Sequence, residues 1–479
     1  MEGFHGRKEI RSGVEAITAA NVADVIAQAM VIHSVNQSRI KYLWDYYKGK
    51  QPIEQRIKET RPEINNKIVV NRANEIVSFK SGYLMGEPIQ YIYKGNDPKV
   101  AKAIETLNDF MFAEEKETKD KEIADWFYIC GTAFRMVLPD REEDDAPFEI
   151  FTMNPMDTFV VYQNGYEHTP LLGCTFSLDQ DGNRVFYAYS KDTFYKVVNG
   201  NVVTMQRHRL KGIPIVEYPL NMARIGAFEL VLDLLNAINA AESDRQDAAD
   251  AFVQAFMLFH NVDITSEDFT QMKAQGAIKV TDVDPQMPGE VKYIVESLSQ
   301  ADTQVLVNDL YTEVLTITGM PNRNGGSSTS DTGVATIFRD GWAAADARAK
   351  NDEQYFKRSE KEFLKIALQI CKDTLGMDVK VKDIEIRFTR RNYENIVSKA
   401  NVLVTMLGND RIHPRLAFEH CGMFADPGLA YQISEEFYED NQRNGGGNPE
   451  NPSEGQSGGT EGGTGEDRDR GDQTQVETP

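Results

Sequence analysis

The stretch that most constrains this chain is FELVLDLLNAINAAESDRQDAADAFVQAFMLF, Phe228 to Phe259. Apolar side chains fall at Phe228, Val231, Leu235 and Ile238, then at Phe252, Phe256 and Phe259, drawing one stripe along a helix. At about 1.5 Å per residue the run predicts a rod of roughly 50 Å, long for a globular protein. A short strand-rich excursion from His260 to Ser299 follows. A second helical run then returns, ADTQVLVNDLYTEVLTIT, with Val307, Leu310, Val314 and Ile317 on one face. It stops at Gly319-Met320-Pro321, where Pro321 disfavours a helical Met320. A loop of Gly, Ser, Thr and Asn, Asn322 to Asp331, comes next. The pattern predicts an antiparallel hairpin of helices with a small domain at its far end.

With 479 residues the chain has room for about three domains and a sizeable core. The four cysteines, Cys130, Cys174, Cys371 and Cys421, form no Cys-x-x-Cys pair, which argues for a reducing compartment and against structural zinc. The start, MEGFHGRKEI, lacks the apolar core of a signal peptide, and the long helical run carries Glu242, Asp244, Arg245, Asp247 and Asp250 in its middle. The expectation is a soluble, cytoplasmic chain with no membrane span. Net charge is −22, of which the twelve acidic and three basic residues from Glu435 onward supply −9. No dense Lys/Arg stripe exists, so tight tracking of a phosphate backbone is not supported.

In chain order, helices are predicted over Asn21–Lys48, after Asn71 as an N-cap, and over Val100–Phe112 and Lys116–Cys130. Between the first two lies an exposed charged arm, Pro52 to Glu63, and Lys67 onward predicts a short strand before Asn71. From Thr132 the pattern alternates. Strands are predicted at 133–138, 148–153, 158–162, 173–178 and 184–190, with Asp181-Gly182 and Asn199-Gly200 as hairpin turns. Residues 132–220 thus read as an antiparallel β module between helical halves. Another long helical run, Val334–Leu375, is capped by Gly376. The strand at Ile384–Phe388 has no neighbour in sequence and is expected to join the earlier sheet. Helices at 394–407, 414–420 and 429–439 follow. The Gly/Glu/Pro/Ser-rich stretch from Asn441 is expected to be disordered. The fold class is α+β and mainly helical.

Catalytic and cofactor signatures do not assemble. The loop Gly325 to Asp331 lacks the lysine of a phosphate-binding loop. His413 and His420, seven apart, read as core or cap histidines rather than metal ligands, and Asp282, Asp284 and Glu290 lack calcium-loop spacing. The cluster Trp44 to Tyr47 reads as inter-helix core before a base-stacking platform. No nucleophile, base and orienting group converge. The expectation is a non-enzyme without cofactor or metal.

The order of elements, together with Tyr46-Tyr47-Lys48-Gly49, KIVVNRANEIVSFKSGYLMGEPIQY (Lys67–Tyr91), ITGMPN (Ile317–Asn322) and IEIRFTRR, resembles the portal proteins of tailed bacteriophages. It is most similar to the branch of long-tailed phages of Gram-positive bacteria. The resemblance spans roughly residues 20–440. It implies a ring, usually of twelve subunits, at the vertex where head meets tail, passing double-stranded DNA non-specifically during packaging, retention and ejection.

The resemblance also implies a division of the chain: wing, 1–225; stem helix, 226–259; clip, 260–300; stem helix, 301–319; tunnel loop, 320–333; long wing helix and closing strand, 334–393; crown, 394–440; acidic tail, 441–479. It implies that the clip meets the packaging terminase and later a tail adaptor, with Lys273, Asp282, Asp284 and Glu290 as candidate contacts. Capsid and scaffold proteins are further implied partners, and the implied location is the virion's portal vertex after assembly in the host cytoplasm. Asn322, Arg323, Asn324, Ser327, Ser328 and Thr329 are the tunnel-loop candidates for DNA contact. Glu242, Asp244, Arg245, Asp247 and Asp250 are the candidates for a channel-facing stem, each also readable as a solvated helix face. Acidic walls suit a conduit, because every phosphate–lysine contact adds affinity and friction. A shell or tail-tube subunit without a channel is the alternative.

Overall fold

The computed structural model describes residues 6–140, 145–253, 256–262, 265, 267, 270, 290–294, 300–322, 341–390, 396–424 and 427–443. Two compact units divide it, residues 1–396 and 397–479.

In the first unit, strand β1 (Ile10–Ser12) precedes helix α1 (Val22–Tyr47). Helix α2 (Arg72–Leu84) begins at Asn71, whose side chain accepts from the Asn74 N–H as an N-cap should. Strand β2 (Gln90–Tyr93) and helices α3 (Pro98–Ala113) and α4 (Lys116–Cys130) lead to the strand-rich region. Eight strands follow: β3 (Thr132–Pro139), β4 (Phe148–Met153), β5 (Thr158–Gln163), β6 (Pro170–Leu178), β7 (Arg184–Tyr189), β8 (Thr193–Val198), β9 (Asn201–Arg207) and β10 (Ile215–Pro219).

They make two sheets rather than the single module the alternation suggests. One is β10-β3-β4. The other is β1-β5-β6-β7-β8-β9, in which β1 runs parallel to β5. The larger sheet is covered on both faces. Val22, Val25, Ile26 and Ala29 of α1 pack on Phe159, Val161 and Leu172, while Val160 on the other face meets Phe134 and Ile215. The β8–β9 hairpin turns at Asn199 (φ 48°) and Gly200 (φ 77°), two successive positive φ values that suit the right-handed strand twist.

Helix α5 (Leu232–Val253), led in by a 3-10 turn at Glu229–Val231, and helix α6 (Gln300–Thr318) form the predicted hairpin. The rod is shorter than its stripe implied. The helix stops at Val253, and Phe256–His260 is strand β11, paired antiparallel with β12 (Glu290–Ile294). Phe256-Met257-Leu258-Phe259 is a short continuous apolar run, whose periodicity fits either element, and aromatic content tips it toward strand.

Helix α7 (Trp342–Leu375) ends at Gly376 (φ 70°), as predicted; 334–340, where the run was expected to begin, lies outside the described residues. Strand β13 (Ile384–Arg387) does not join either of these sheets but pairs with β2, register Ile384↔Tyr93 to Arg387↔Gln90. Residues 67–70 are not a strand either: no sheet partner takes their backbone. One apolar cluster gathers α1–α4, the three-stranded sheet, the hairpin root and α7, around Phe127, Phe228, Phe356 and Phe363.

The second unit holds helices α8 (Ile396–Leu407), α9 (Pro414–Cys421) and α10 (Pro427–Arg443). His413 caps α9, its Nδ1 accepting from the Arg415 N–H at 3.2 Å, the second of the two roles, core or cap, expected for it. Phe418 packs edge-on against Tyr431 of α10. Leu429, Ile433 and Phe437, at helical steps of four, are exposed on α10.

Candidate functional site: the helix hairpin and what grips it

The root of the hairpin is fixed by buried polar contacts. Glu229 accepts from the Gly226 N–H at 2.9 Å and the Gly6 N–H at 3.1 Å, and pairs with Arg7. Arg7 in turn donates to the Cys130 carbonyl at 3.0 Å, so the N-terminal segment is tied to α4 and to the start of the hairpin together. Tyr46 stacks on Phe228 and donates to Asn236 at 3.0 Å. On α6, Tyr311 donates to Glu75 at 2.9 Å and its ring lies 3.9 Å under the Arg72 guanidinium. Both helices are therefore anchored to α1 and α2.

The five charges expected to face a channel do not share one face. At about 100° per residue, contacts sort α5 into three sides. Glu242 and Arg245 pair with each other, and Arg245 donates to Gln304 of α6 at 2.7 Å, so these two lie along the seam of the hairpin. Asp247 and Asp250 turn to the chain's own arm. Asp247 is 4% exposed, pairs with Lys58 at 2.8 Å and Arg56 at 3.2 Å, and accepts from Asn66. Burial would raise its carboxyl; Lys58 and Asn66 hold it below the usual carboxylate range instead. Asp250 accepts from Asn66 at 2.7 Å. Asp244 pairs with Arg56 yet stays 60% exposed, in the middle of a third side. That third side carries Asp233, Ala237, Ala240 and Ala248 and is half-buried or exposed throughout.

The arm contacts explain the extended backbone of 66–70. The N–H groups of Asn66, Ile68 and Val70 donate to Asp247 Oδ1 (2.7 Å), Ser243 Oγ (3.0 Å) and Asn239 Oδ1 (2.8 Å). Asn239 and Ser243 were not singled out from sequence. Their signal was present: polar residues every fourth position, Asn239-x3-Ser243-x3-Asp247, in a helix that is otherwise apolar on its packed side.

At the same root end α6 stops at Gly319 (φ 68°), and the Met320 N–H returns to the Leu315 carbonyl at 2.9 Å. Arg348 of α7 donates to the Ile317 carbonyl at 2.6 Å and so caps α6 from another helix. A Cβ on Gly319 would sit 2.3 Å from Arg348 Cδ. Asn322 follows, half-buried; Arg323, Asn324, Ser327, Ser328 and Thr329 lie outside the described residues. Lys273, Asp282 and Asp284 do as well, while Glu290 opens β12 opposite His260.

A second buried site was also unforeseen. Glu360, fully buried on α7, accepts from Lys116 (2.9 Å), Arg135 (3.2 Å), Tyr218 (2.7 Å) and Tyr91 (2.5 Å), while Asp120 pairs with both Lys116 and Arg135. Burial alone would raise the Glu360 carboxyl; Lys116 and Arg135 bring it down to about 2. The network binds α7 to α4, β2, β3 and β10. Among the described residues no group of His, Cys, Asp and Glu could hold a metal ion, and no helix is long and apolar enough to cross a membrane.

A helix hairpin rooted beside two sheets, with a strand pair at its tip and a long helix packed on the same apolar core, is the arrangement these contacts hold together. The family described as phage portal protein, SPP1 Gp6-like, matches residues 31–444. The chain belongs to that family. Among solved structures, it is similar to a chain of the neck of an empty GTA particle computed with C6 symmetry, at 11% identity and a TM-score of 0.43, over 73% of this chain and 90% of that one. No curated protein matches the chain.

Proposed function

We propose that this portal protein acts as one subunit of a closed ring whose central opening passes double-stranded DNA, with the α5/α6 hairpin as the channel wall. The reading rests on the hairpin's geometry. One side of α5 is held by the arm and one by α6, which leaves a third side, small and acidic, uncovered in the single chain. Asp233 and Asp244 are the acidic groups there, and neither is suited to holding a phosphate backbone. Of the sequence candidates, Asp244 therefore takes the channel role, while Asp247, Asp250, Glu242 and Arg245 hold the wall together. Large apolar side chains left open on α6, Val305 (58%) and Leu306 (52%), and on α10, support burial against neighbouring copies.

In this reading the β11/β12 end of the hairpin, Glu290 included, docks the packaging terminase and then a tail adaptor. The ring sits at the virion vertex in contact with capsid and scaffold proteins, and 320–333 follows the duplex. Electron microscopy and native mass of the purified chain test it. The expected result is a ring with an open centre, of about twelve copies in keeping with the family resemblance. Tubes, shells, monomers or a closed disc would overturn it. ATPase and nuclease assays on the same preparation are expected to be flat.

A further inference from the structure

We propose that residues 52–70 form a detachable strap that sets the axial register of α5 and releases as a unit, leaving the core packed. The argument is a match of two repeats. Two residues of extended chain advance about 6.6 Å, and four residues of helix about 6.0 Å. Donors at 66, 68 and 70 therefore stay in step with acceptors at 247, 243 and 239 over three repeats, antiparallel to α5.

A slide of α5 by one, two or three residues turns the acceptors away from the strap, so partial slippage is excluded and the ladder holds or opens together. Gln51, just ahead of it, is buried, donates to the Tyr46 carbonyl at 3.2 Å and accepts from Asn239, which pins that end; between there and Val70 little else retains the strap. Ile64 is its one buried apolar side chain and lies outside the main apolar cluster, and Ile57 is 87% exposed. Arg56 and Lys58 add ion pairs to α5; the Arg56–Asp244 pair, with Asp244 60% exposed, is the one that salt reaches most readily. Val70, packed on the main cluster, and the buried Gln51 are the two ends that stay attached. The inference stands whichever face of α5 lines a channel.

Hydrogen exchange on the full chain tests it, comparing wild type, Ser243→Ala, Asp247→Ala and a remote core variant, Ile150→Val. Amides at 66–70 should exchange about tenfold faster in the two strap variants, the shift expected from losing one or two such bonds. Amides of β3 should keep their wild-type rate. Tryptic cleavage after Lys67 should rise in parallel. Because a variant can fold poorly, the wild-type chain gives a second reading: raising salt from about 0.05 to about 0.5 M should speed exchange at 66–70 and not in β3. The proposal is overturned if amides at 66–70 respond to neither variants nor salt. It is equally overturned if they quicken only together with β3, or as much in Ile150→Val.

Discussion

Glu360 shows how one residue on an apolar stripe can organise a fold. It lies four after Phe356 and three before Phe363, so its place in the sequence already put a carboxylate on the buried face of α7. Removing one partner of such a buried pair leaves the others uncompensated and costs about 3–5 kcal/mol. Glu360→Gln should therefore lower the calorimetric Tm at neutral pH. The pH dependence has a definite sign. The folded carboxyl sits at about 2 against an ordinary 4.5, so its stabilisation is complete above 4.5 and is lost as pH falls toward 2. The gap between wild type and Glu360→Gln should shrink across that window; a gap constant from pH 6 to pH 2 would refute the assignment. Asp233→Lys with Asp244→Lys is the matching test on the open face of α5. Packaging in vitro should slow, most at low salt, as lysines engage phosphates. Indifference would show that this face is turned away from DNA.

Among elements, what the sequence made legible followed from periodicity and caps. The boundaries of α1, α4 and α6 came within a residue or two, because Gly49, Gly131 and Gly319 end them and long apolar stripes run through them. The tip of the hairpin was misread because a four-residue apolar run carries no period of its own. The partners of β1 and β13 were illegible, since pairing across some 150 or 290 positions leaves no local trace. The polar stripe of α5 was read as solvated or lumenal because nothing in the helix itself reveals an arm that supplies Arg56, Lys58 and Asn66. The joint between α6 and α7 yields a further prediction. Gly319→Ala meets a positive φ and the Arg348 side chain together and should cost about 1–2 kcal/mol. Arg348→Ala should cost about 1 kcal/mol by leaving the Ile317 carbonyl without its donor. In both, exchange should quicken at the C-terminal end of α6; unchanged exchange there would show that the cap is idle.

At the scale of the whole molecule, charge and exposed apolar surface act in opposite directions. A net −22 per copy keeps chains apart, while Val305, Leu306, Leu429, Ile433 and Phe437 favour contact. Association should therefore strengthen as salt rises from about 0.05 to about 0.3 M, read by sedimentation; weakening over that range would mean that ion pairs, not apolar faces, join the copies. The pairing of β13 with β2 has a bearing on biosynthesis. Residues 90–93 leave the ribosome nearly 300 codons before the strand that completes them. Until Arg387 has emerged β2 lacks its sheet partner, and until Glu360 has emerged Lys116 and Arg135 have only Asp120 to balance their two charges. A product cut short ahead of Glu360 is therefore expected to stay unfinished, open to proteolysis rather than offered to an assembly.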